Sequence, residues 1–249
     1  SLYAYMNTTG LAPELELVEV YNEHKAGQPL GGAVEVMASF LAWPEVYRAQ
    51  LERVLGREAA AGIWAGGEAL TPHTAVDPRC AWVGASIARL KASSTADQQF
   101  DILSRVALVR PPENVAEAKA IYDATGSVEA VIRAQHEKLA KTRTGGFVDM
   151  PRCGGGVLHD SKVPYNREGY DAAATPREKR KAYCFCTLIR EAEDPQVDPI
   201  FCYRASGWAR QLWEPVLGVE FKTCTITQSI LKGDAFCAWD YRLPEGFAC

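Results

Sequence analysis

The spacing of apolar residues changes once along this chain, and the change limits the folds that it can adopt. Over residues 1–143 apolar side chains recur at every third or fourth position, which is the period of an amphipathic helix. After Gly218 the residues become β-branched or alternate between apolar and polar, which is typical of strands. Helices followed by a strand pair predict an α+β fold, in which a helical half packs on a smaller mixed region that ends in an antiparallel hairpin.

Helix start and stop signals divide the first half into six predicted helices. A proline follows Asp77 at a first helical position, Gly126 is placed to end a helix, and Ser127 is placed to cap the next one. The predicted helices are 31–41, 44–55, one that opens at Asp77, one over 100–108, one that ends at Gly126 and one that begins at Ser127.

A change of composition near residue 145 predicts two regions. Glycine-rich stretches at 144–146 and 154–156 bracket a short apolar segment. The residues that follow are rich in Gly, Pro and Asn and are predicted to form a loop. We therefore expect a helical region over residues 1–145 and an α+β region over residues 146–249.

The second region is predicted to contain helices and then the hairpin. Thr175–Glu178 has the pattern of a capping box with proline at the first helical position. Helical spacing returns over Tyr203–Leu217 until Gly218 ends it. Val219–Ile230 and Phe236–Leu243 are strand-like segments joined by a turn, so they predict an antiparallel pair.

Composition and charge exclude several classes of protein. The 249 residues carry a formal net charge of -4 and no basic run longer than 177–181, which argues against nucleic acid as the main partner. No run of about 18 apolar residues occurs, so no membrane-spanning helix is expected. The N-terminal residues lack the order of a signal peptide. We expect a cytoplasmic protein whose partner is a small molecule, with homo-oligomerisation left open.

Six of the eight cysteines lie in the last third of the chain, among large aromatic residues and carboxylates. In a cytoplasmic protein all eight are expected to be reduced. Three interpretations stay open for this cluster: buried apolar thiols, soft metal ligands, or one reactive thiolate with bystanders. Cys184 and Cys186 share a face if their segment is extended, which suits ligation and core packing equally. Cys237 follows a turn and is expected to pack rather than react.

Cys202 is the predicted nucleophile, because it lies just ahead of the helix predicted over Tyr203–Leu217. A helix N-terminus lowers the pKa of a thiol and favours the reactive thiolate. His159, beside Asp160, and Glu214 are the candidates to move a proton. A histidine next to an aspartate is also common as a solvated pair, so a structural role for His159 stays open.

Two arginines and three aromatic residues are candidates to hold a substrate. Arg190 and Arg204 can clamp a carboxylate through bidentate hydrogen bonds. Tyr203, Trp208 and Trp213 can line an apolar pocket between helix and sheet. The two indoles are five residues apart and do not share a helix face, so at least one of them is expected to serve the core or an interface.

The motifs of the C-terminal region carry a family resemblance over roughly residues 147–244. They are Cys184–Cys186, Phe201–Tyr203, Gly207–Trp208, Leu212–Glu214, Gly218 and Ser229–Cys237, and the Gly-Asp-x-x-Cys ending is the most specific of them. In this order they resemble the L-2-amino-thiazoline-4-carboxylic acid hydrolase-like family. More distantly, they are similar to the 4-vinyl reductase type of small-molecule-binding domain.

The resemblance implies a hydrolase-like enzyme that opens a C–N or C=N bond in a small, carboxylated substrate. It places the pocket where residues 184–214 meet the closing hairpin, with Cys184 and Cys186 among the substrate-binding residues. Water or Cys202 would attack an amidine-like carbon. The alternative that it implies is a non-catalytic small-molecule-binding module of the 4-vinyl reductase type, whose aromatic residues hold an apolar ligand.

The resemblance also bears on metal binding. Vinyl-reductase-type domains that hold zinc carry a cysteine where this chain has Ser229 and a glutamate where it has Ile226. A zinc site of that pattern is therefore not expected. No other cofactor is implied by the motifs.

Overall fold

The computed structural model describes residues 43–70, 74–107, 110–141, 151–245 and 247. Within these residues it contains ten α-helices and one four-stranded antiparallel sheet, so the predicted α+β class is confirmed. None of the described helices combines the length and the apolarity needed to cross a bilayer. The helices are α1 (Trp43–Leu55), α2 (Arg57–Trp64), α3 (Val76–Ser93), α4 (Ala96–Ser104), α5 (Pro112–Thr125), α6 (Val128–Lys141), α7 (Arg167–Ala172), α8 (Pro176–Tyr183), α9 (Thr187–Glu191) and α10 (Tyr203–Leu217).

Local signals identify most of the N-terminal helices. Five predicted helices correspond to α1, α3, α4, α5 and α6, and the one predicted over 31–41 lies outside the described residues. Gly126 ends α5 with a φ of 63°, and Ser127 Oγ accepts a 3.1 Å hydrogen bond from Ala130 N at the start of α6. The unpredicted helices α2, α7 and α9 have 8, 6 and 5 residues, too few for a clear periodic pattern.

Helix α10 lies at the centre of the packing, and 11 of its 15 residues are buried. It approaches α4 so closely that a Cβ on Gly207 would lie 1.8 Å from the carbonyl oxygen of Ser104. The buried apolar residues form one continuous core from α1 to the closing strand. This core crosses residue 145, and the division into two regions there stays a prediction.

The sheet contains two hairpins, of which one is predicted by the sequence. Its strand order is β1-β2-β4-β3. β3 pairs antiparallel with β4, which confirms the predicted hairpin over shorter strands. The loop predicted after the glycine-rich boundary is wrong, because β1 and β2 pair there around Gly155 and Gly156, whose φ angles of 60° and 73° suit a two-residue hairpin turn. The strands are β1 (Arg152–Gly154), β2 (Val157–Ser161), β3 (Thr225–Gln228) and β4 (Ala238–Arg242).

One face of the sheet is buried against the helices. Leu158 and Asp160 on β2, and Trp239 and Tyr241 on β4, occupy alternate positions and are all buried. The Tyr241 hydroxyl donates a 2.7 Å hydrogen bond to Ser206 O in α10. The inner face of the two central strands is thereby joined to the central helix.

Arg210 of α10 holds a polar cluster within the core. Its guanidinium donates hydrogen bonds of 2.7 Å to Ser104 Oγ and to Glu214 Oε1, and it lies 3.3 Å from Asp101 Oδ1. Glu214 also accepts a 2.9 Å hydrogen bond from Phe221 N. We call Asp101, Ser104, Arg210 and Glu214 the Arg210 cluster; it ties α4 to α10 and to the segment that follows α10.

Two further arginines complete the charge balance at Asp101. Burial disfavours its carboxylate, but hydrogen bonds from Arg105 at 2.8 Å and from Arg53 at 2.6 Å outweigh burial and lower the pKa of Asp101 to about 2. The carboxylate therefore stays ionised across the neutral range. It can then hold α1, α4 and α10 together through charge-assisted hydrogen bonds.

Candidate functional site

One cavity brings four of the C-terminal cysteines together. It has a volume of about 80 Å³, and its otherwise apolar wall carries four thiols and two cationic side chains. No aspartate or glutamate is among the described residues that line it. We call it the thiol cavity. Its thiols and cations are Cys184, Cys186, Cys202, Cys237, Lys162 and Arg204, and its aromatic residues are Tyr183, Phe185, Phe201, Trp208 and Trp239.

Each of the four thiols comes from the end of a secondary-structure element. Cys184 ends α8, Cys186 precedes α9, Cys202 joins a short 3-10 helix to α10, and Cys237 directly precedes β4. All four are free thiols. Residues at the ends of helices and strands need not follow the side-chain directions of a helix face or a sheet face. The four thiols can therefore line the same cavity.

Tyr183, at the end of α8, fixes the backbone on two sides of the cavity. Its hydroxyl accepts a 2.7 Å hydrogen bond from Cys237 N and donates a 2.6 Å hydrogen bond to Lys162 O. Burial raises the pKa of Tyr183, so the hydroxyl keeps the proton that it donates. The positions of Cys237 and Lys162 relative to each other are therefore set by one buried side chain.

Cys202 and Cys237 are both in the cavity wall, and the interaction of their thiols shifts both pKa values. Cys202 Sγ also lies 3.4 Å from Ser229 Oγ. The pKa of Cys237 is lowered mainly because the Cys202 thiol donates to it; burial opposes this shift. The N–H of Ile230, 3.5 Å from the Cys237 sulphur, and the charge of Lys162 lower it further. The pKa of Cys202 is raised, because its thiol donates to Cys237 and is buried. Cys237 is therefore the thiol of this pair that ionises more readily.

The structure places Cys202 at the N-cap of α10, as expected, and a short 3-10 helix precedes it. The 3-10 helix Pro199–Cys202 runs directly into α10, and Cys202 itself has helical φ and ψ angles of -69° and -10°. The helical segment begins earlier, at Asp198, whose side chain accepts a 3.0 Å hydrogen bond from Ile200 N. The interaction with Cys237 and burial raise the pKa of Cys202, and its role as the reactive thiolate stays a prediction.

The other two thiols differ in their surroundings. Burial raises the pKa of Cys184, and the nearby thiols of Cys237 and Cys186 raise it further, so Cys184 stays neutral. Cys186 Sγ accepts a 3.5 Å hydrogen bond from Arg204 Nη1, while Arg204 Nε donates to Val106 O at 2.9 Å. Burial lowers the pKa of Arg204, and Cys186 partly offsets that effect. Cys186 thus contacts the buried guanidinium of Arg204.

Lys162 lies among aromatic rings at the cavity wall. Its Nζ is 5.7 Å from the ring centroid of Phe185 and 5.5 Å from that of Trp208, within the range of a cation–π interaction. Together with Arg204 it gives the wall two positive charges. Two positive charges in the wall can attract a ligand with negative charge.

The two predicted proton carriers lie outside the thiol cavity. His159 Nδ1 is 2.7 Å from Asp240 Oδ1, and 43% of the His159 side chain is exposed. His159 alternates with the buried Asp160 along β2 and so lies on the opposite face of the sheet. Glu214 is part of the Arg210 cluster, about three turns into α10. Neither side chain is brought next to a thiol of the cavity.

Three of the predicted substrate contacts have structural partners instead. Arg190 stacks its guanidinium 4.4 Å from the ring centroid of Tyr165. The Tyr203 hydroxyl donates a 3.0 Å hydrogen bond to Cys224 O. Trp213 is 1% exposed and belongs to the hydrophobic core. The predicted contacts that do line the cavity are Arg204, Trp208, Cys184 and Cys186.

The sequence prediction misses Lys162 and Trp239 and assigns Cys237 to packing alone. Cys237 and Trp239 are two residues apart where β4 begins, so the alternation of a strand places them on one face. That signal is present in the sequence. Lys162 has no comparable local signal, because it reaches the cavity only through the pairing of β2 with β4 and its own 3.2 Å hydrogen bond from N to Cys237 O.

The described cysteines differ in their redox state. Cys153 is disulfide-bonded, so the expectation that all eight cysteines are reduced is wrong at that position. In the described part of the chain the free thiols are Cys80, Cys184, Cys186, Cys202, Cys224 and Cys237. Across residues 43–245, apart from the gaps given above, no group of three or more His, Cys, Asp or Glu side chains is arranged to hold a metal ion.

Comparisons with known proteins give no relative for this chain: no family model matches it, and neither a curated protein nor a solved structure shows a significant match. The resemblance drawn from its C-terminal motifs therefore stays a prediction. Function has to be argued from the chemistry of the thiol cavity.

Proposed function

We propose that this protein is an enzyme that opens a C–N or C=N bond in a small anionic substrate, with Cys237 as its nucleophile. The observation that carries the proposal is the thiol cavity, whose wall holds Cys202 and Cys237 together with Lys162 and Arg204. The surroundings of Cys237 lower its pKa, and its interaction with Cys202 is the largest cause. A thiol with a lowered pKa supplies more thiolate near neutral pH, and the thiolate is the nucleophilic form. The hydrolase-like motifs, which end at Cys237, support the same type of bond.

The two sulphurs supply both halves of such a reaction. The Cys237 thiolate adds to an amidine-type carbon and forms a C–S bond while the C=N electrons move to nitrogen. Cys202 gives its proton to the leaving nitrogen, the electrons on the other nitrogen restore the C=N bond, and an amine departs to leave a thioimidate on Cys237. Water then adds to the same carbon and returns a proton to Cys202. The C–S bond breaks, which restores the Cys237 thiolate and releases an amide.

The wall of the cavity restricts the substrate. Lys162 and Arg204 favour an anionic group such as a carboxylate, and Arg204 can bind it through a planar guanidinium. Phe185 and Trp208 offer ring faces to a flat, apolar body. The volume of about 80 Å³ admits only a small molecule. A compact unsaturated acid meets all three requirements.

The apolar character of most of the wall favours a second candidate, a non-catalytic binding module of the 4-vinyl reductase type. A module that only binds an apolar ligand needs no activated group in its pocket. The lowered pKa of Cys237 at the cavity wall is a feature that an enzyme needs and such a module does not. We therefore prefer the enzyme.

A cytoplasmic location and a small molecule as the partner, rather than nucleic acid, belong to the same proposal. The reaction requires that Cys202 and Cys237 remain free thiols, as they are in this structure. A reducing compartment keeps thiols in that state, and the disulfide of Cys153 would then have to resist reduction there.

The pH dependence of alkylation by iodoacetamide, followed at Cys237 by peptide mass spectrometry, tests the nucleophile. We expect a half-maximal rate below pH 9.0, the ordinary pKa of the group. Cys202→Ala removes the donor and should move the midpoint upward by about one pH unit, whereas Cys202→Ser keeps a hydroxyl donor and should move it less. Cys224 is the internal control, because burial raises its pKa to about 12 and it lies outside the cavity wall.

Turnover separates the enzyme from the binding module. The protein is incubated with small amidine and thiazoline carboxylates, and products and covalent adducts are identified by mass spectrometry. We expect a thioimidate mass on the peptide that contains Cys237, together with release of an amine. Tight binding without an adduct or a product would favour the module, and alkylation of Cys237 only above pH 9.0 would contradict its assignment as the nucleophile.

A further inference from the structure

Ser229 lies behind the two thiols that are proposed to react. It is the N-cap of the 3-10 helix Ile230–Lys232, it is 0% exposed, and it is not part of the cavity wall. Its Oγ lies 3.4 Å from Cys202 Sγ, and the N–H of the next residue, Ile230, donates a 3.5 Å hydrogen bond to Cys237 Sγ. Two consecutive residues therefore contact the two sulphurs from outside the cavity.

The proton of the Ser229 hydroxyl can be donated to a sulphur. The hydroxyl oxygen accepts a 3.2 Å hydrogen bond from Leu231 N, as the side chain of an N-cap residue does. A serine hydroxyl has one proton and two lone pairs, so this backbone bond holds the oxygen and leaves the proton for another partner. The interaction with Cys202 is the largest cause of the lowered pKa of Cys237, and the Ser229 side chain lowers it further. The same side chain opposes the rise in the pKa of Cys202.

The turn that carries Ser229 is held by contacts that do not involve its hydroxyl. Ser229 N donates a 2.8 Å hydrogen bond to Asp234 Oδ2, and Ser229 O accepts hydrogen bonds from Lys232 N at 2.8 Å and from Asp234 N at 3.2 Å. Gly233 ends the 3-10 helix with a φ of 88°. The hydroxyl can therefore be removed while most of the contacts that fix the turn remain.

We propose that Ser229 is a positioning residue, whose hydroxyl donates a hydrogen bond to whichever of the Cys202 and Cys237 sulphurs carries the negative charge. Before the reaction that sulphur is Cys237. After Cys202 has given its proton to the leaving nitrogen, the charge lies on Cys202. Rotation of the hydroxyl about its Cβ–Oγ bond moves the donor between the two sulphurs without a movement of the backbone. This inference rests on the proposed function, because it takes Cys237 as the nucleophile and Cys202 as the proton donor.

Other titratable groups reach the two sulphurs from elements other than this turn. Lys162 follows β2 and lowers the pKa of Cys237, whereas Cys184 ends α8 and raises the pKa of Cys202. The Tyr183 hydroxyl, also from α8, accepts the hydrogen bond of Cys237 N. All three side chains remain when the serine hydroxyl is removed, so a changed alkylation midpoint reports the hydroxyl.

Alkylation by iodoacetamide, followed at each cysteine by peptide mass spectrometry, tests the first stage. Ser229→Ala should raise the alkylation midpoint of Cys237 by about half a pH unit, and Ser229→Thr, which keeps a hydroxyl, should stay within about 0.2 unit of the wild type. Ser206→Ala is the matched control, because Ser206 is also 0% exposed but its hydroxyl donates to Tyr203 O and does not line the cavity. It should leave the Cys237 midpoint within about 0.2 unit. Equal midpoints in Ser229→Ala and the wild type would overturn the proposal.

The second stage is tested in a protein without the nucleophile. In Cys237→Ala the charge of the pair can lie on Cys202 alone, as it does after proton transfer. Adding Ser229→Ala to this variant should raise the alkylation midpoint of Cys202 by about half a pH unit. An unchanged Cys202 midpoint would contradict the movement of the donor between the two sulphurs.

A measurement on the unmutated protein guards against variants that do not fold. The Cβ resonance of Ser229, in protein labelled with carbon-13 at serine and cysteine, should move with pH at the same midpoint as the Cβ resonance of Cys237. The Cβ resonance of Ser206 should stay in place through that midpoint. A Ser229 resonance that does not follow the ionisation of Cys237 would overturn the proposal.

The proposed function and this inference can fail separately. A wild-type Cys237 midpoint above pH 9.0, raised further in Ser229→Ala, would remove the nucleophile and keep the hydroxyl as a donor to the thiol pair. A wild-type midpoint below pH 9.0 that is the same in Ser229→Ala would keep the nucleophile and remove only the role of Ser229.

Discussion

Helix α10 contributes a buried arginine to each of two polar clusters, and the clusters are built differently. Arg210, 3% exposed, meets the carboxylates of Asp101 and Glu214 and the hydroxyl of Ser104. Arg204, 7% exposed, lines a cavity whose described wall has thiols and a second cation but no carboxylate. The first cluster pairs Arg210 with carboxylates at short distances, and the second places Arg204 and Lys162 in the wall of a cavity. The first arrangement stabilises the fold, and the second suits a ligand.

Cys237→Ser should produce the largest effect, a loss of turnover with little change in stability. The hydroxyl of serine has a far higher pKa than a thiol, so the proposed turnover should drop at least about 1000-fold, which corresponds to about 4 kcal/mol of transition-state stabilisation. The free energy of unfolding should change by about 1 kcal/mol or less. Turnover and chemical denaturation of the same preparation measure the two quantities.

Cys224→Ser is the matched control, because Cys224 is also buried and free but lies outside the thiol cavity. The Cys224→Ser protein should keep the wild-type turnover in its folded fraction. Equal losses of turnover in the two serine variants would mean that the cavity thiols have no special role. This prediction reverses the assignment made from the sequence, in which Cys202 reacts and Cys237 packs.

Arg210→Met should produce the opposite pattern, a loss of stability without a change at the cavity. Removing the guanidinium leaves Glu214 partly buried beside Ser104 without its cation, so the free energy of unfolding should fall by about 3 kcal/mol. The alkylation midpoint of Cys237 should not move in the folded protein. Urea denaturation and the alkylation profile measure the two effects.

Arg48→Met is the control for losing an arginine as such. Arg48 is 52% exposed, and its pairs with Glu45 and Glu52 are 3.7 and 4.0 Å long, so it should cost less than about 0.5 kcal/mol. A shift of the Cys237 midpoint in Arg210→Met would show that the two clusters are coupled. The Arg210 cluster would then affect the thiol cavity as well as the stability of the fold.

The parts of the fold that the sequence predicts are those with short-range causes. Ser127, Gly126 and Gly218 act on residues within one turn of themselves, and each is found at the helix end that it predicts. The capping box at Thr175 is present with both of its hydrogen bonds to Glu178. The β1–β2 hairpin is missed although its two turn glycines are visible, because strands of three and five residues give little alternation to detect.

The sequence indicates where the candidate site lies, but it does not indicate which thiol has the lower pKa. Its cysteines are visible as a cluster in the sequence, and the cavity lies among them. Which thiol is acidic depends on contacts from distant parts of the chain: Tyr183 fixes the backbone of Cys237, and Lys162 approaches from another strand. Cys202 lies at the start of α10 as predicted, but its interaction with Cys237 and its burial raise its pKa. A pattern of residue types does not contain that geometry.

Acid pH should produce the smallest of these effects, a loss of stability that arises in the Arg210 cluster. The folded pKa of Asp101 is about 2, below its ordinary value of 3.8, so its carboxylate stabilises the fold above about pH 4 and loses that contribution as the pH falls through about 2. After allowance for the partial exposure of the side chain, the contribution is about 1 kcal/mol. Asp101→Asn cannot be ionised, so it should be less stable than the wild type by this amount at neutral pH. Denaturation midpoints measured from about pH 7 to about pH 2 should show the difference between the two proteins closing with acidification, because the wild-type carboxylate becomes protonated. A difference that stays constant or widens would mean that Asp101 stabilises α4 and α10 without its charge, and the contrast with the thiol cavity would then rest on hydrogen bonding alone.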